Sequence, residues 1–352
     1  MQAQVQVTPA RWWHIPGLSR LIRGTRRARD RGSGGALVWA PRWSPSLGVL
    51  QSVWPAPLPG VPGPQSFAAE QGGRPLGLAQ MRPRREPRHW EVVYLAVEDA
   101  GPTTGQGVAA DRTAARLLGE LCDAAGHAGA ERVFARIHEE GGRFAVFKQV
   151  GFSPVEREYT YYQEQERAAA PPAAPPAAAI PGLRPQRRAD AFGLLQLYRA
   201  ATPKVVQMAE GVGDDRRGRR WEAEGVDPVG RLTRRPRRLR WVVERDGRHV
   251  GWLQLDVHRR GPHRLRLMVD EGTTAHGDLT RPLLEHGLAT LAAHPAPGVL
   301  VRVREHQQRL AAALEARGFY LVDDSLLMVK LLATPVPQRS QPQFAPALEK
   351  VV

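Results

Sequence analysis

The chain states one pattern twice, and that repeat constrains its fold more than any other feature. Val7-Thr8-Pro9, followed by Ile15, Leu18, Leu21 and Ile22, returns as Leu183-Arg184-Pro185, followed by Ala191, Leu194, Leu197 and Tyr198. Leu76-Gly77-Leu78-Ala79-Gln80-Met81 returns as Val250-Gly251-Trp252-Leu253-Gln254-Leu255. Phe147-Lys148-Gln149-Val150-Gly151-Phe152 returns as Leu314-Glu315-Ala316-Arg317-Gly318-Phe319. The offsets are 176 (185 − 9), 174 (251 − 77) and 167 (318 − 151). A period this long is not a solenoid unit. A chain of 352 residues has room for two domains of ordinary size. The expected division is a first copy over 1–166, an Ala/Pro linker over 167–181, a second copy over 182–333 and a disordered tail over 334–352. The stretch Ala168 to Pro181 suits a stiff polyproline-like spacer, and the polar, proline-bearing tail lacks the apolar content of a core.

Each copy reads as the same series of elements. A short strand (about Val5 to Pro9; Leu183 to Pro185) leads into a helix with helical apolar spacing. Strands are expected at Ala36 to Trp39 and at Trp241 to Val243, and Pro55 to Pro64 reads as a loop. Asp246-Gly247 marks a hairpin turn before Val250 to Val257. The next strands are Glu91 to Val97 and Leu265 to Val269. Amphipathic helices follow, carrying Leu117, Leu118 and Leu121 in one copy and Leu283, Leu284, Leu288 and Leu291 in the other. Strands at Arg132 to Ile137 and Val299 to Val303 precede helices that end at Gly151 and Gly318, the residue type favoured just past a helix end. Final strands run over Glu156 to Tyr162 and Ser325 to Leu331. The sum is an α/β fold with a mixed sheet in each copy.

Composition narrows the function classes. No apolar run is long enough to span a bilayer, and the N-terminus lacks the apolar core of a signal peptide. Cys122 is the sole cysteine, so no internal disulfide can form; a buried thiol and a cytoplasmic setting are expected. The eleven histidines show no paired ligand spacing, so no metal site is expected. Net charge is +15, and only Lys148, Lys204, Lys330 and Lys350 are lysine, so arginine supplies 46 (50 − 4) of the basic residues. A field of this sign favours anionic ligands. Two arginine clusters, Arg216 to Arg220 and Arg234 to Arg238, lie between the first helix and second strand of copy two. They read as solvated loops, as a surface for an acidic substrate, or as phosphate contacts. Trp12, Trp13, Trp39, Trp43 and Trp54 read as packing in copy one.

The element order, with Thr8-Pro9 and Arg184-Pro185 opening, Gly77 and Gly251 strands within, and Gly151-Phe152 and Gly318-Phe319 closing, resembles the GCN5-related N-acetyltransferase (GNAT) family, twice over. The resemblance implies two tandem acyl-CoA N-acyltransferase-like domains. It also implies acetyl-CoA between two splayed central strands, with its pyrophosphate on backbone N–H groups where the next helix begins. Helix N-termini hold anions through orphan donors and the positive dipole end.

Against the family's loop pattern, Gln/Arg-x-x-Gly-x-Gly/Ala, counting back from the paired leucines places Ala109, Arg112 and Ala114 in copy one and Ala275, Asp278 and Thr280 in copy two. Gly105, Gln106, Gly107 and Gly277 lie slightly upstream. Arg112 can pair a phosphate through its fork, whereas Asp278 sets a negative charge where the anion belongs. Copy one is therefore the expected donor half. Its expected contacts are Leu95, Ala96 and Val97 on the strand and Gly105, Gly107, Ala109, Ala110, Arg112 and Thr113 in the loop and helix start.

The family's tyrosine general acid stands five residues before the closing phenylalanine, where this chain has Phe147 and Leu314. Tyr159, Tyr161 and Tyr162 are the phenols nearest in sequence. Glu91, Glu98 and Asp99 are the candidate general bases in copy one, and Asp270 and Glu271 the corresponding carboxylates in copy two. The function implied is transfer of an acetyl or other acyl group from coenzyme A to an amine, with an acidic acceptor favoured by the arginine surplus. The competing readings are a degenerate tandem that binds coenzyme A or serves as an interaction module, and an Arg-rich nucleic-acid or ribosome-associated factor.

Overall fold

A computed structural model describes residues 5–11, 14, 65–84, 88–98, 106–138, 144–165, 180–211, 236–259, 261–272 and 278–332. The expected first-copy helix at 15–22, the strand at 36–39, the loop at 55–64, the five tryptophans, Arg216 to Arg220, most of the linker and the tail lie outside those residues. The first half contributes strands β1 (Gln6–Pro9), β2 (Gln65–Gln71), β3 (Arg74–Pro83), β4 (His89–Val97), β5 (Arg132–Ile137) and β6 (Ser153–Glu164). Its helices are α1 (Gln106–His127) and α2 (Phe144–Gln149). The second half contributes β7 (Leu183–Pro185), β8 (Arg237–Arg245), β9 (Arg248–Val257), β10 (His263–Val269), β11 (Gly298–Arg304) and β12 (Tyr320–Leu331). Its helices are α3 (Ala191–Ala201), α4 (Lys204–Ala209), α5 (Thr280–Ala292) and α6 (Gln308–Glu315).

The glycines of the repeat have packing reasons. A Cβ on Gly77 would lie 2.8 Å from Leu117, and one on Gly251 would lie 2.9 Å from Leu283. The missing side chain is what lets the long helix of each half rest on its sheet. Gly151 and Gly318 take left-handed φ values of 93° and 80°. Each ends its helix with the following phenylalanine N–H returning to Phe147 O or Leu314 O, both at 3.0 Å, which is the Schellman arrangement. Phe152 also meets Phe147 edge to face at 5.2 Å. Asp246 and Gly247 both have positive φ, as a tight hairpin turn between β8 and β9 requires.

The sequence reading assigned no strand to 65–71. β2 is there, joined to β3 through Gly72 and Gly73, both at positive φ. Ser-Phe-Ala-Ala-Glu carries no clear two-residue alternation, so its strand character comes from pairing on β3. Arg237 and Arg238, expected in a loop, open β8. Ile180, at the linker's end, packs in the second core beside Leu253 and Leu314.

Among the described residues, the twelve strands form one sheet, in the order β1-β2-β3-β4-β5-β12-β6-β11-β10-β9-β8-β7. The halves interdigitate at the centre. β12, the last strand of the second half, lies between β5 and β6 of the first. β6, the last strand of the first half, lies between β12 and β11 of the second.

The seam has a near two-fold axis. The offset that carries Gly151 to Gly318 carries Glu158 to Ser325 (158 + 167), and these two residues face each other across β6 and β12. Flanking pairs obey the same relation: Arg157 faces Leu326 and Tyr159 faces Asp324. Arg136 on β5 pairs with Leu327, and Arg302 on β11 pairs with Thr160. Thr160 and Leu327 differ by the same 167 (327 − 160), so Arg136 and Arg302 occupy equivalent places. Both approach one carboxylate on the axis. Glu158 lies 2.5 Å from Arg136 Nε and 3.9 Å from Arg302 Nη1, and Arg304 Nε is 3.8 Å away.

Candidate functional site

In the first half, β4 and β5 run parallel but stay paired only at His89–Arg132, Trp90–Val133 and Glu91–Phe134. Beyond Glu91 the strands part, while β4 remains hydrogen-bonded to β3 as far as Val97. Residues 92–97 thus keep one strand edge unpaired by β5. Gln80 faces Tyr94 and Met81 faces Val92, so Val93 is the extra residue of a β-bulge at the mouth of the splay. Bulges of this kind re-aim backbone groups and are frequent beside active sites.

Seven residues separate Glu98 from the start of α1. The helix begins at Gln106, earlier than the leucine count placed it, so the expected loop-and-helix-start segment is already helical. Its first turn, 106–109, carries the orphan N–H groups and no acidic residue. Leu95, Ala96 and Val97 are buried on the open-edged part of β4. Gly107 and Ala109 lie in the first turn of α1. Ala110, Arg112 and Thr113 lie in the second, where the Thr113 hydroxyl donates to Ala109 O at 2.9 Å. Gly105 and Asp99 lie outside the described residues.

The second half has the same splay, with pairing limited to His263–Val299, Arg264–Leu300 and Leu265–Val301. β10 carries no bulge: its register with β9 is continuous from Arg264 to Val269. Here the opening is spanned from within. Gln307 donates through Nε2 to Leu267 O at 3.1 Å, and its Oε1 accepts from Arg304 N–H at 3.1 Å. Asp278 accepts from Thr280 N–H at 3.0 Å where α5 begins, so a carboxylate already sits on that helix start. Ala275 lies outside the described residues. A cavity of about 300 Å³ remains, lined in part by Leu267, Val269, Glu271, Thr280, His306 and Leu310. Burial raises the Glu271 carboxyl above its ordinary value despite the guanidinium of Arg309. Asp270 instead accepts from Gly272 N–H.

No protein-family model and no curated protein matches the chain. Solved structures do. One is a GCN5-related N-acetyltransferase from Sphaerobacter thermophilus, with a TM-score of 0.53 and 15% identity over 93% of this chain and 95% of that one. Another is a tandem GNAT protein from the clavulanic acid biosynthesis pathway, with a TM-score of 0.50 and 16% identity over 93% of this chain and 98% of that one. The chain has the tandem GNAT fold.

Within that fold the titratable candidates separate. Burial alone would raise the Glu91 carboxyl, but the guanidinium of Arg136, helped by Arg84, Arg82 and Arg302, holds it down at about 2. A carboxylate so acidic is a weak proton acceptor at neutral pH, and its contacts make it the ion-pair partner of Arg136 and Arg82. Glu98, just past the end of β4, pairs with the exposed Arg74 at 2.5 Å.

Phe147 and Leu314, at the family's tyrosine position, are fully buried core residues. The β6 tyrosines face the second half. Tyr161 donates to Glu315 at 2.9 Å and Tyr162 to Pro297 O at 2.9 Å. Burial and the Glu315 hydrogen bond push the Tyr161 phenol up to about 12. Sequence reasoning passed over Tyr94, the buried phenol directly after the bulged residue; only the bulge, a property of strand pairing, draws attention to it. Cys122 is buried, and burial raises its thiol to about 11, far from a reactive thiolate. Among the described residues, no group of three or more His, Cys, Asp or Glu side chains is placed to hold a metal ion, and no helix is long and apolar enough to cross a membrane.

Proposed function

We propose that the protein transfers an acyl group, acetyl in the simplest case, from a coenzyme A thioester to an amine, and that the donor binds in the first half. One contrast carries the choice of half. The first splay combines an open strand edge, a bulge and a helix start without an acidic residue. In the second, Gln307 occupies the strand carbonyl of Leu267, and the Asp278 carboxylate takes the Thr280 N–H where the helix begins. Orphan N–H groups at 106–109 suit a pyrophosphate, and the free edge of residues 92–97 suits the amide groups of a pantetheine arm.

In the reaction the amine nitrogen bonds to the thioester carbonyl carbon, the carbon–sulfur bond breaks, and the departing thiolate takes up a proton as the amine loses one. The protein's main contribution is holding the two reactants together. The lone buried thiol of Cys122 supports a reducing, cytoplasmic setting.

The experiment is calorimetric titration with acetyl-CoA, paired with Ala109→Asp. Ala109 is exposed in the first turn of α1. A carboxylate there suits the helix dipole but repels a pyrophosphate, so the variant is expected to fold normally and bind acetyl-CoA at least about tenfold more weakly. Gln307→Ala is expected to leave that affinity unchanged. Loss of binding in Gln307→Ala alone would move the donor to the second half. Burial of Phe147 and Leu314 at the tyrosine position supports a second reading, a coenzyme A binder without turnover. Tight binding with no release of free thiol across a range of amines would select it.

A further inference from the structure

Gln307 spans the second-half splay, yet a cavity of about 300 Å³ lies beside it. Four element ends meet there. Thr202 follows α3, Glu271 lies just past β10, Thr280 opens α5, and His306 lies just before α6. Leu267, Val269 and Leu310 give the cavity an aliphatic wall. Its volume is at the lower end for small-molecule sites. At the ~30 Å³ of a water-sized unit it holds about ten heavy atoms.

The polar lining offers acceptors. His306 Nδ1 lies 2.8 Å from Oε2 of the buried Glu156. Donation through Nδ1 makes Nε2 of the neutral imidazole an acceptor, and no described residue bonds to that nitrogen. Thr202 and Thr280 are buried, and their hydroxyls make no hydrogen bond to a described residue; each has lone pairs to offer. Glu271 supplies the charge. Arg309 Nε reaches its Oε2 only at 3.6 Å, from a side chain that is 58% exposed, so that pair is weak. Burial raises the Glu271 carboxyl, and the charge of Asp278 adds to the rise, against the pull of Arg309. A cation brought beside Glu271 favours its charged form.

We propose that this cavity is a second ligand site, for a small aliphatic ammonium, which it binds without acylating. An ammonium group brings three donors and one positive charge, a match for Glu271, His306 Nε2 and a threonine hydroxyl. The alkyl part takes the wall of Leu267, Val269 and Leu310. A carboxylate ligand would meet the charges of Glu271 and Asp278, and a neutral ligand would bring Glu271 no cation. The site is separate from the donor splay of the first half: β10 stands five strands from β4, about 24 Å at the ordinary strand spacing. Its histidine is nonetheless positioned by Glu156 on β6, so the first half helps to shape it. That the amine stays unacylated rests on the first-half donor site proposed above; ammonium binding does not.

The test uses the full chain without donor. Calorimetric titration with hexylamine is compared with 1-hexanol and hexanoate, which keep the alkyl chain and change the head group. Hexylammonium is expected to bind saturably and at least about tenfold more tightly than either. Glu271→Gln changes a partly exposed side chain. It is expected to bring hexylamine down to the affinity of 1-hexanol while leaving 1-hexanol unchanged. Thr280→Val, which keeps the side-chain shape, is expected to weaken hexylamine at least about threefold.

Absence of saturable hexylamine binding up to millimolar concentration overturns the proposal, as does equal binding of hexylamine and 1-hexanol. Binding that Glu271→Gln leaves intact places the amine elsewhere and overturns it too. Free-thiol release with acetyl-CoA supplies the last arm. If Glu271→Gln raises the KM for hexylamine in step with its Kd, the cavity holds the acyl acceptor and binding without acylation is refuted. Failure of acetyl-CoA to bind sinks the acyl-transfer reading, and the donor-free titration still decides the ammonium site.

Discussion

Expressed apart, residues 1–166 and 167–352 are each expected to fail as folded monomers, and expressed together they are expected to assemble one to one. The reason lies at the centre of the sheet. Without the second half, β6 loses both neighbours, β12 on one edge and β11 on the other, and β5 loses β12. A strand of twelve residues would then present two unpaired edges, the arrangement that drives aggregation. Closing the gap would require β6 to move one strand spacing toward β5 and to exchange every cross-strand partner. Self-association of the first half is also disfavoured, because the two-fold axis would set Glu158 against Glu158 in place of Ser325.

We therefore propose that 1–166 and 182–333 are two copies of one domain in origin but a single folding unit, with the 167–181 linker acting as a tether that raises the effective concentration of each half for the other. Light scattering after size exclusion, with far-ultraviolet circular dichroism, decides it. A monomeric, fully structured 1–166 would show that the central strands do not need their exchanged partners.

The sequence made the parts legible and hid their assembly. Gly77 and Gly251, or Gly151 and Gly318, stand out because each answers a local demand: a leucine resting on a strand, or a left-handed helix end. Strand exchange leaves no such mark. The offset of 167 is the same whether the last strand closes on its own half or on the other. Glu156 and Glu158 alternate with Val155 and Arg157, a pattern that reads as a solvated face because acids are seldom buried. Both are buried, since β11 and β5 bring arginines to that face.

The candidate site divides the same way. The position of β4 and the body of α1 follow from periodicity and the paired leucines, while the start of α1 at Gln106 lies earlier than they place it. The bulge at Val93, the closure by Gln307 and the convergence on Glu158 depend on which strands meet. The arginine surplus was visible as a number; that Arg238 and Arg264 both face Asp256, and Arg240 and Arg266 both face Gln254, needed the register of β8, β9 and β10.

Glu158→Gln is expected to destabilise the protein by about 3–5 kcal/mol, the scale for breaking a buried ion pair by removing one partner. Arg136, Arg302 and Arg304 would remain beside the axis without the carboxylate they share. Three of the four central strands carry a member of this group: β5 holds Arg136, β6 holds Glu158, and β11 holds Arg302 and Arg304. The substitution therefore acts on the seam between the halves, and the urea midpoint of the whole chain reports it.

Two-fold geometry supplies a control that a generic packing defect would not obey. Ser325→Glu alone places a second carboxylate directly opposite Glu158 and is expected to destabilise. Glu158→Ser with Ser325→Glu moves the single charge to the equivalent position, where Arg136 and Arg302 exchange roles, and is expected to recover about 1–2 kcal/mol of coupling. Recovery is incomplete, because the residue equivalent to Arg304 is His138 (304 − 166), which contacts Asp323 and Asp324 instead.

Acid adds a second readout. Burial opposes ionisation of Glu158, yet Arg136, with Arg302 and Arg304, holds its carboxyl at about 2, below the ordinary 4.5. A depressed folded-state value means that the stabilisation is fully present above about pH 4.5 and is lost as pH falls toward 2. Glu91 contributes in the same window. Between pH 5 and pH 3 the wild type is expected to lose stability more steeply than Glu158→Gln, with Glu91 leaving a residual slope. Equal slopes in the two proteins would show that Glu158 is not ionised at the axis.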